Sequence, residues 1–376
     1  MSYLNKIVKY DLAQSSEASH VYMDIAVINA DTGTLPPTHL KFSETRDRAI
    51  LTDPASYYMS CIRFHIDTIA LPAMLPLVQL NQPDINKLIY SFTLSYKGFD
   101  QQQFVEFKPQ DKTAKIPAAP YGKQDIDSGY YYLTSFAFFV TLCNNALKSA
   151  FTGLAAQVTL PTTNPPWIMY DPTSKEIIFN GDVTGFDNSL TDYIQIYFNI
   201  PCYNLFCSFE TTTESFSSPN GKNYMLVMEN ENGTNISEMN TYSALQVYQE
   251  YASTITWSCI QSIVLCSSTL PINGAMQSQN TINQVKSEAI NYSNNLSVNI
   301  ISDFEVAMES GMDFKPSVNY APYLYRLIDM FGHQEINTIS IEAYWKDTSN
   351  NMHPLLLPSN SNANIKLLFR KKYLGI

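Results

Sequence analysis

Side chains that could bind a metal or act as a nucleophile are scattered along this 376-residue sequence. Cys202 and Cys207 have no second pair at zinc-site spacing, and the same holds for Cys259 and Cys266. No GxSxG, GxxxxGK[S/T], GxGxxG or HExxH motif occurs. We therefore predict that the protein is not an enzyme and has no cofactor. The histidines are dispersed, with no two of them three or four residues apart: His20, His39, His65, His333 and His353.

Two charged clusters remain as candidate sites. Asp125 and Asp127 could act as a glycosidase pair or contribute to a calcium site, but Ca²⁺ needs more oxygen ligands than these two supply. A solvated turn is the favoured interpretation for them. Arg370, Lys371 and Lys372 form a basic cluster near the C-terminus and are the candidate residues for contact with nucleic-acid phosphates. The alternative for this cluster is a solvated strand end.

The composition is that of an acidic, aromatic-rich β protein. The chain has 23 Lys and Arg against 34 Asp and Glu, a net charge of −11, which argues against nucleic acid as its main partner. An aromatic fraction of 13% and 20 prolines favour a loop-rich β fold over disorder. No run of about 18 apolar residues occurs, so we expect no membrane span. The N-terminus lacks the apolar segment of a signal peptide.

The six cysteines predict free thiols. Four of them lie in apolar runs, where a free cysteine behaves as a small hydrophobic side chain. Together with the absence of a signal segment, this favours reduced thiols in a protein made in a cytosol.

Two alternating segments near the C-terminus predict strands of a β-sandwich. Ile339, Ile341 and Ala343 alternate with polar residues before Tyr344 and Trp345. Turn-forming residues and a proline-bounded loop follow over 346–358. Residues 365–372 then alternate again, which predicts that the last strand completes the sheet.

The rest of the chain predicts a sandwich interrupted by a mixed segment. Further sandwich strands are predicted at 21–28, 57–66, 88–96, 254–260, 262–266 and 298–305. Between them, residues 132–157 have apolar side chains three and four apart, which indicates a helix. A hairpin at 167–179, strands at 193–198 and 224–228 and a short helix at 199–206 accompany it. We interpret residues 1–100 and 251–376 as the two parts of the sandwich, and 101–250 as an inserted α+β subdomain.

The C-terminal pattern also resembles that of a known family. The strand ending in Tyr344 and Trp345, the polar turn, the Pro-Leu run at 354–358 and the segment Ile-Lys-Leu-Leu-Phe-Arg-Lys-Lys at 365–372 are similar to the vertex (penton) capsid proteins of virophages and Polinton- and adintovirus-type DNA viruses. A weaker similarity extends in the same order back to about residue 50. The resemblance implies a mainly β fold, a jelly-roll-type antiparallel β-sandwich with an inserted α+β subdomain.

The resemblance further implies a structural role. We expect a homopentameric vertex component of an icosahedral virion capsid, assembled in the host cytoplasm. Its partners would be copies of itself, the major capsid protein and a minor capsid protein, with Arg370, Lys371 and Lys372 as the candidate contact to the genome on an inner surface. The alternatives are a major capsid protein of a small DNA virus, a β-sandwich carbohydrate-binding protein, and, least favoured, a β-fold hydrolase.

Overall fold

The chain folds mainly into antiparallel strands. The computed structural model describes residues 19–32, 38–67, 71, 73–74, 76–77, 79, 87–107, 133, 135–229, 236–239, 241–272, 299–305, 317–320, 326–348 and 352–372. Among these residues, short 3-10 helices lie at Pro54–Ser56 and Ser253–Trp257. The helices are α1 Phe136–Ala155, α2 Val183–Phe186 and α3 Ile200–Leu205. The strands are β1 His20–Ile28, β2 Thr38–His39, β3 Lys41–Thr45, β4 Tyr57–Asp67, β5 Lys87–Tyr96, β6 Phe99–Glu106, β7 Trp167–Tyr170, β8 Ile177–Asp182, β9 Gln195–Phe198, β10 Thr211–Thr213, β11 Tyr224–Leu226, β12 Ile236–Glu238, β13 Ser243–Tyr248, β14 Ile260–Ser267, β15 Asn299–Glu305, β16 Ser317–Tyr320, β17 Ile328–Asp329, β18 Thr338–Asp347, β19 Met352–Pro354, β20 Leu356–Leu357 and β21 Asn362–Lys371.

Two antiparallel sheets form a sandwich from the two ends of the chain. Sheet 1 has the order β1-β21-β4-β16, with β17 also paired to β4. Sheet 2 has the order β15-β14-β18-β19, with β3 also paired to β18. The predicted mainly β, antiparallel fold is therefore confirmed. No helix among the described residues is both long enough and apolar enough to cross a membrane.

One apolar core lies between sheets 1 and 2, because alternate residues of each strand point inward. Phe64 of β4 stacks on Phe304 of β15 with ring centroids 4.9 Å apart. The two C-terminal strands lie in opposite sheets of this sandwich: β18 in sheet 2, and β21 in sheet 1 between β1 and β4. Trp345 and Phe369 are both buried in this core. The last strand thus occupies a central position in its sheet.

A second core belongs to the segment between β4 and β14. Sheet 3 has the order β10-β11-β9-β5-β6, and sheet 4 the order β12-β13-β8-β7. Helix α1 begins after Ser135, whose side chain accepts a hydrogen bond from the backbone amide of Phe138, and it packs on strands β5, β6 and β7. Phe179 of sheet 4 meets Phe198 of sheet 3 edge to face, with centroids 6.1 Å apart. The predicted helix and the β7–β8 hairpin are confirmed.

Two sequence-based assignments were wrong. Strand β5, predicted in the sandwich, pairs with β6 and β9 and belongs to the second core, because its hairpin turn at Lys97 and Gly98 joins it to β6. The strand predicted at 254–260 is instead a 3-10 helix followed by the start of β14. There the indole of Trp257 donates to the carbonyl of Leu205 at 2.8 Å, and this tertiary bond outweighs the local preference for a strand.

All six cysteines are free thiols in the structure. Cys61, Cys143, Cys202 and Cys266 are buried, and Cys207 and Cys259 are partly exposed. Burial raises the pKa of Cys61, Cys259 and Cys266 to about 12, so their thiolates are scarce at neutral pH.

The reactivity of each thiol in the native protein is expected to follow its burial. In denaturant without reductant, all six thiols should react with a colorimetric thiol reagent. In the native protein the four buried thiols should react much more slowly than Cys207. Two or fewer reactive thiols in denaturant would contradict the reduced state.

Candidate assembly surface

The three residues of the predicted basic cluster do not form one patch. Successive residues of a strand point to opposite sides, so Arg370 and Lys371 at the end of β21 diverge. Arg370 is exposed. The ammonium of Lys372 lies 2.9 Å from a carboxylate oxygen of Asp329 and 5.1 Å from the ring centroid of Tyr58. Lys372 therefore makes intramolecular contacts at this end of sheet 1. A contact of the cluster with nucleic acid stays a prediction.

The other candidate residues also lie apart. The imidazole of His353 stacks on Trp345 at 4.1 Å and contacts the buried Asp347 at 3.0 Å, which makes it part of the sandwich edge. His65 is half-buried on β4, as predicted. Among the described residues, no group of three or more His, Cys, Asp or Glu side chains is placed to hold a metal. Asp125 and Asp127 lie outside the described residues.

The outer face of sheet 1 combines exposed apolar and charged side chains. Along β1, Met23 and Ile25 are buried while Tyr22 and Ile28 are 56% and 69% exposed. This alternation comes directly from the sequence, since neighbouring strand residues face opposite sides. We use "outer face of sheet 1" for Tyr22, Asp24, Ile28, Arg63 and Lys366.

The charges on this face are organised around one carboxylate. Asp24 lies 3.0 Å from Arg63 of β4 and 3.1 Å from Lys366 of β21, so three neighbouring strands contribute. The Lys366 ammonium is also 5.5 Å from the ring centroid of Tyr22. Asp24 and Arg63 are exposed and Lys366 is partly exposed, so the ion pairs add little to stability. Exposed aromatic and aliphatic side chains beside paired charges are also found at protein–protein interfaces.

Strand β1 is also an edge of sheet 1. Within the part of the chain that the structure describes, β1 pairs only with β21 and its other side has no neighbouring strand. A nine-residue edge strand with exposed Tyr22 and Ile28 is a template for association, which soluble monomers generally avoid. The sequence predicted this strand but not the significance of its outward residues.

A family comparison decides the class of protein. The family model described as Sputnik minor capsid protein V18/19 matches residues 21–371. The chain belongs to this family. It is a structural protein of a viral capsid and not an enzyme, as the sequence predicted, and its partners are other components of the capsid.

Individual members of the V18/19 family and related structures agree with this assignment. The chain is 25% identical to structural protein V19 of the Sputnik virophage over 212 residues, which are 55% of this chain and 94% of V19. It is 30% identical to protein V18 of the same virophage over 157 residues, 40% of this chain and 92% of V18.

Two solved structures share its fold. A chain of the Sputnik virophage structure determined by cryo-EM superposes with a TM-score of 0.78 at 24% identity, covering 95% of this chain and all of that one. The mavirus penton protein superposes with a TM-score of 0.62 at 17% identity, covering 94% of this chain and 99% of that one. The resemblance to virophage capsid proteins noted in the sequence is confirmed.

Proposed function

We propose that this V18/19-family protein is the penton of an icosahedral capsid, a homopentamer that contacts the major capsid protein around each vertex. The observation that carries the proposal is the agreement in fold with the mavirus penton protein over nearly the whole of both chains. Assembly in the host cytoplasm is part of the proposal, supported by the six free thiols.

We further infer that the sandwich is a jelly roll. Its eight main strands in chain order are β1, β3, β4, β14, β15, β16, β18 and β21. Numbered one to eight, they give 1-8-3-6 in sheet 1 and 2-7-4-5 in sheet 2. This order is that of two interlocked Greek keys, the arrangement common in viral capsid proteins. A major capsid protein built from two fused jelly rolls fits less well, because only one such set of eight strands is present among the described residues.

The inserted unit is proposed to lie in the connection between the third and fourth jelly-roll strands. Its core begins at Met74 and ends at Trp257, whereas Leu71 and Cys259 pack with the sandwich. We therefore propose 73–257 as its limits, in place of the 101–250 predicted from the sequence.

A closed ring requires two different flanks of each subunit to fit each other. The outer face of sheet 1 supplies one such flank, since it presents Tyr22 and Ile28 beside an edge of β1 that none of the described strands covers. The charges around Asp24 can fix the register of the contact without adding much affinity, as rim charges commonly do.

The ring is testable by mass and imaging. We expect native mass spectrometry and negative-stain images of the purified protein, alone or with its major capsid protein, to show fivefold rings. The double variant Tyr22→Glu/Ile28→Glu should remain folded but lose the ring, because it buries two carboxylates in an apolar contact.

A control variant separates the interface from general surface effects. Phe216→Glu alters a side chain that is 71% exposed on the inserted unit, and it should leave the ring intact. The penton proposal would be overturned if only monomers or twofold dimers were found, both in solution and in purified particles. Rings that survive the double variant would overturn the assigned flank alone.

A further inference from the structure

The inserted unit contains an open cavity, lined by both polar and apolar side chains, that capsid assembly does not explain. It has a volume of about 630 Å³ and lies between the loop 160–164, the start of α2 and the β12–β13 hairpin. This volume falls within the range of small-molecule sites in proteins. Polar side chains from all three segments line it, among them Thr162, Asn164, Asp182, Glu238 and Tyr242.

Asp182 holds one wall of the cavity rigid. Its carboxylate accepts hydrogen bonds from the Thr162 hydroxyl at 2.5 Å, from the Asn164 amide at 2.6 Å and from the hydroxyl and backbone amide of Thr184 at 2.7 and 2.9 Å. Burial raises the pKa of this carboxyl, but the four hydrogen bonds outweigh burial, so its pKa lies below the ordinary value. The carboxylate thus ties the loop 160–164 to α2 at neutral pH.

Close packing beneath the loop adds to this rigidity. A Cβ atom placed on Gly185 would lie 2.4 Å from a methyl carbon of Thr162, so α2 can approach the loop only with glycine there.

The opposite wall is also fixed by hydrogen bonds. The Trp167 indole donates to the Tyr242 hydroxyl at 3.0 Å, which sets the orientation of the tyrosine ring. The Ser243 hydroxyl lies 2.9 and 3.0 Å from the two carboxylate oxygens of Glu238, which is otherwise exposed. A cavity whose polar groups are held in place by other side chains is pre-organised for a ligand.

The lining selects the class of ligand. Two carboxylates and several hydroxyl and amide groups face the cavity, and no Lys or Arg is among the described residues that line it. Anionic ligands are disfavoured by Asp182 and Glu238. A wholly apolar ligand would displace water from the exposed carboxylate of Glu238 without replacing its hydrogen bonds, which is costly. Sugar hydroxyls can donate to the carboxylate of Glu238, whose two oxygens receive, among the described residues, only the one hydroxyl of Ser243. Tyr242 offers an aromatic ring for the apolar side of a sugar.

We propose that this cavity is a binding site for a neutral oligosaccharide on the inserted unit. The site is separate from the outer face of sheet 1 and uses none of its residues. A failure of sugar binding would therefore not contradict the pentameric ring, and absence of the ring would not contradict sugar binding.

The test uses the full-length protein on a printed array of neutral glycans with terminal mannose, galactose or N-acetylglucosamine, beside sialylated and sulfated glycans. We expect binding to at least one neutral class and none to the anionic classes. Calorimetry with the best neutral glycan should then show about tenfold weaker binding for Glu238→Gln and for Tyr242→Ala, the loss expected for one good contact.

Tyr248→Ala is the matched control, since Tyr248 is a half-exposed tyrosine on β13 that does not line the cavity. It should bind as the unaltered protein does. Glu238 is exposed, so Glu238→Gln keeps the test valid if Tyr242→Ala disturbs the fold, which its melting temperature would reveal. Lack of binding to every neutral glycan, binding to anionic glycans alone, or full binding by Glu238→Gln would each overturn the proposal.

Discussion

Replacing Phe369 by alanine is expected to lower the free energy of unfolding by about 3–5 kcal/mol. Phe369 is completely buried in the sandwich core. It lies on β21 opposite Val21 of β1 and Met59 of β4, so its ring packs in the core against the middle of sheet 1. The truncation removes the transfer free energy of the ring and leaves a cavity between strands that cannot collapse easily.

Chemical denaturation of Phe369→Ala beside Phe216→Ala tests this expectation. Both variants remove the same phenyl ring, but Phe216 is 71% exposed and should change stability by less than about 1 kcal/mol. Equal stabilities for the two variants would contradict the central place of β21 in the sandwich.

Many of the longer strands were predictable from the sequence, but their partners were not. Alternation at Ile339, Ile341 and Ala343 reports only that one face of a strand is buried. It carries no information on which sheet that face belongs to. Strands β18 and β21 lie in opposite sheets although only residues 348–361, which include the short β19 and β20, separate them. Partner choice in such a fold depends on contacts between residues far apart in sequence.

The limits proposed for the inserted unit differ from those predicted from the sequence for a related reason. Strand β5 has the apolar pattern of any buried strand, and its assignment depends on pairing with β9, about a hundred residues later. The segment Ser253–Trp257 looks like a strand because of its β-branched residues and tryptophan. Its hydroxyls instead bond to backbone carbonyls, as Thr254 does to Lys175 at 2.7 Å.

The two candidate surfaces differ in how far the sequence could reveal them. The outward side chains of β1 can be predicted from its alternating pattern, in which Tyr22 and Ile28 occupy outward positions. The cavity around Asp182 gathers side chains from three separate segments, and none of them forms a local motif. Only the folded structure brings these groups together.

Removing the whole inserted unit is expected to leave a folded sandwich, whereas removing only part of it should not. A variant that joins Pro72 to Ser258 through a Gly-Ser linker deletes residues 73–257 along with the second core. Leu71 and Cys259, which pack with the sandwich, stay in place. This variant should be soluble and melt cooperatively.

Deleting only residues 101–250 should instead give an aggregating protein. That deletion removes β9, α1 and most of β6 but keeps β5, whose Leu88, Phe92 and Leu94 are fully buried against them. These side chains would be exposed together with unpaired backbone groups on both sides of β5, a combination that promotes association of strands. Soluble yield, size-exclusion profiles and thermal melts of the two deletions measure the difference. The opposite result, a soluble and cooperatively melting 101–250 variant and an aggregating 73–257 variant, would contradict the assignment of β5. It would mean that β5 belongs to the sandwich, since only the 73–257 deletion removes this strand.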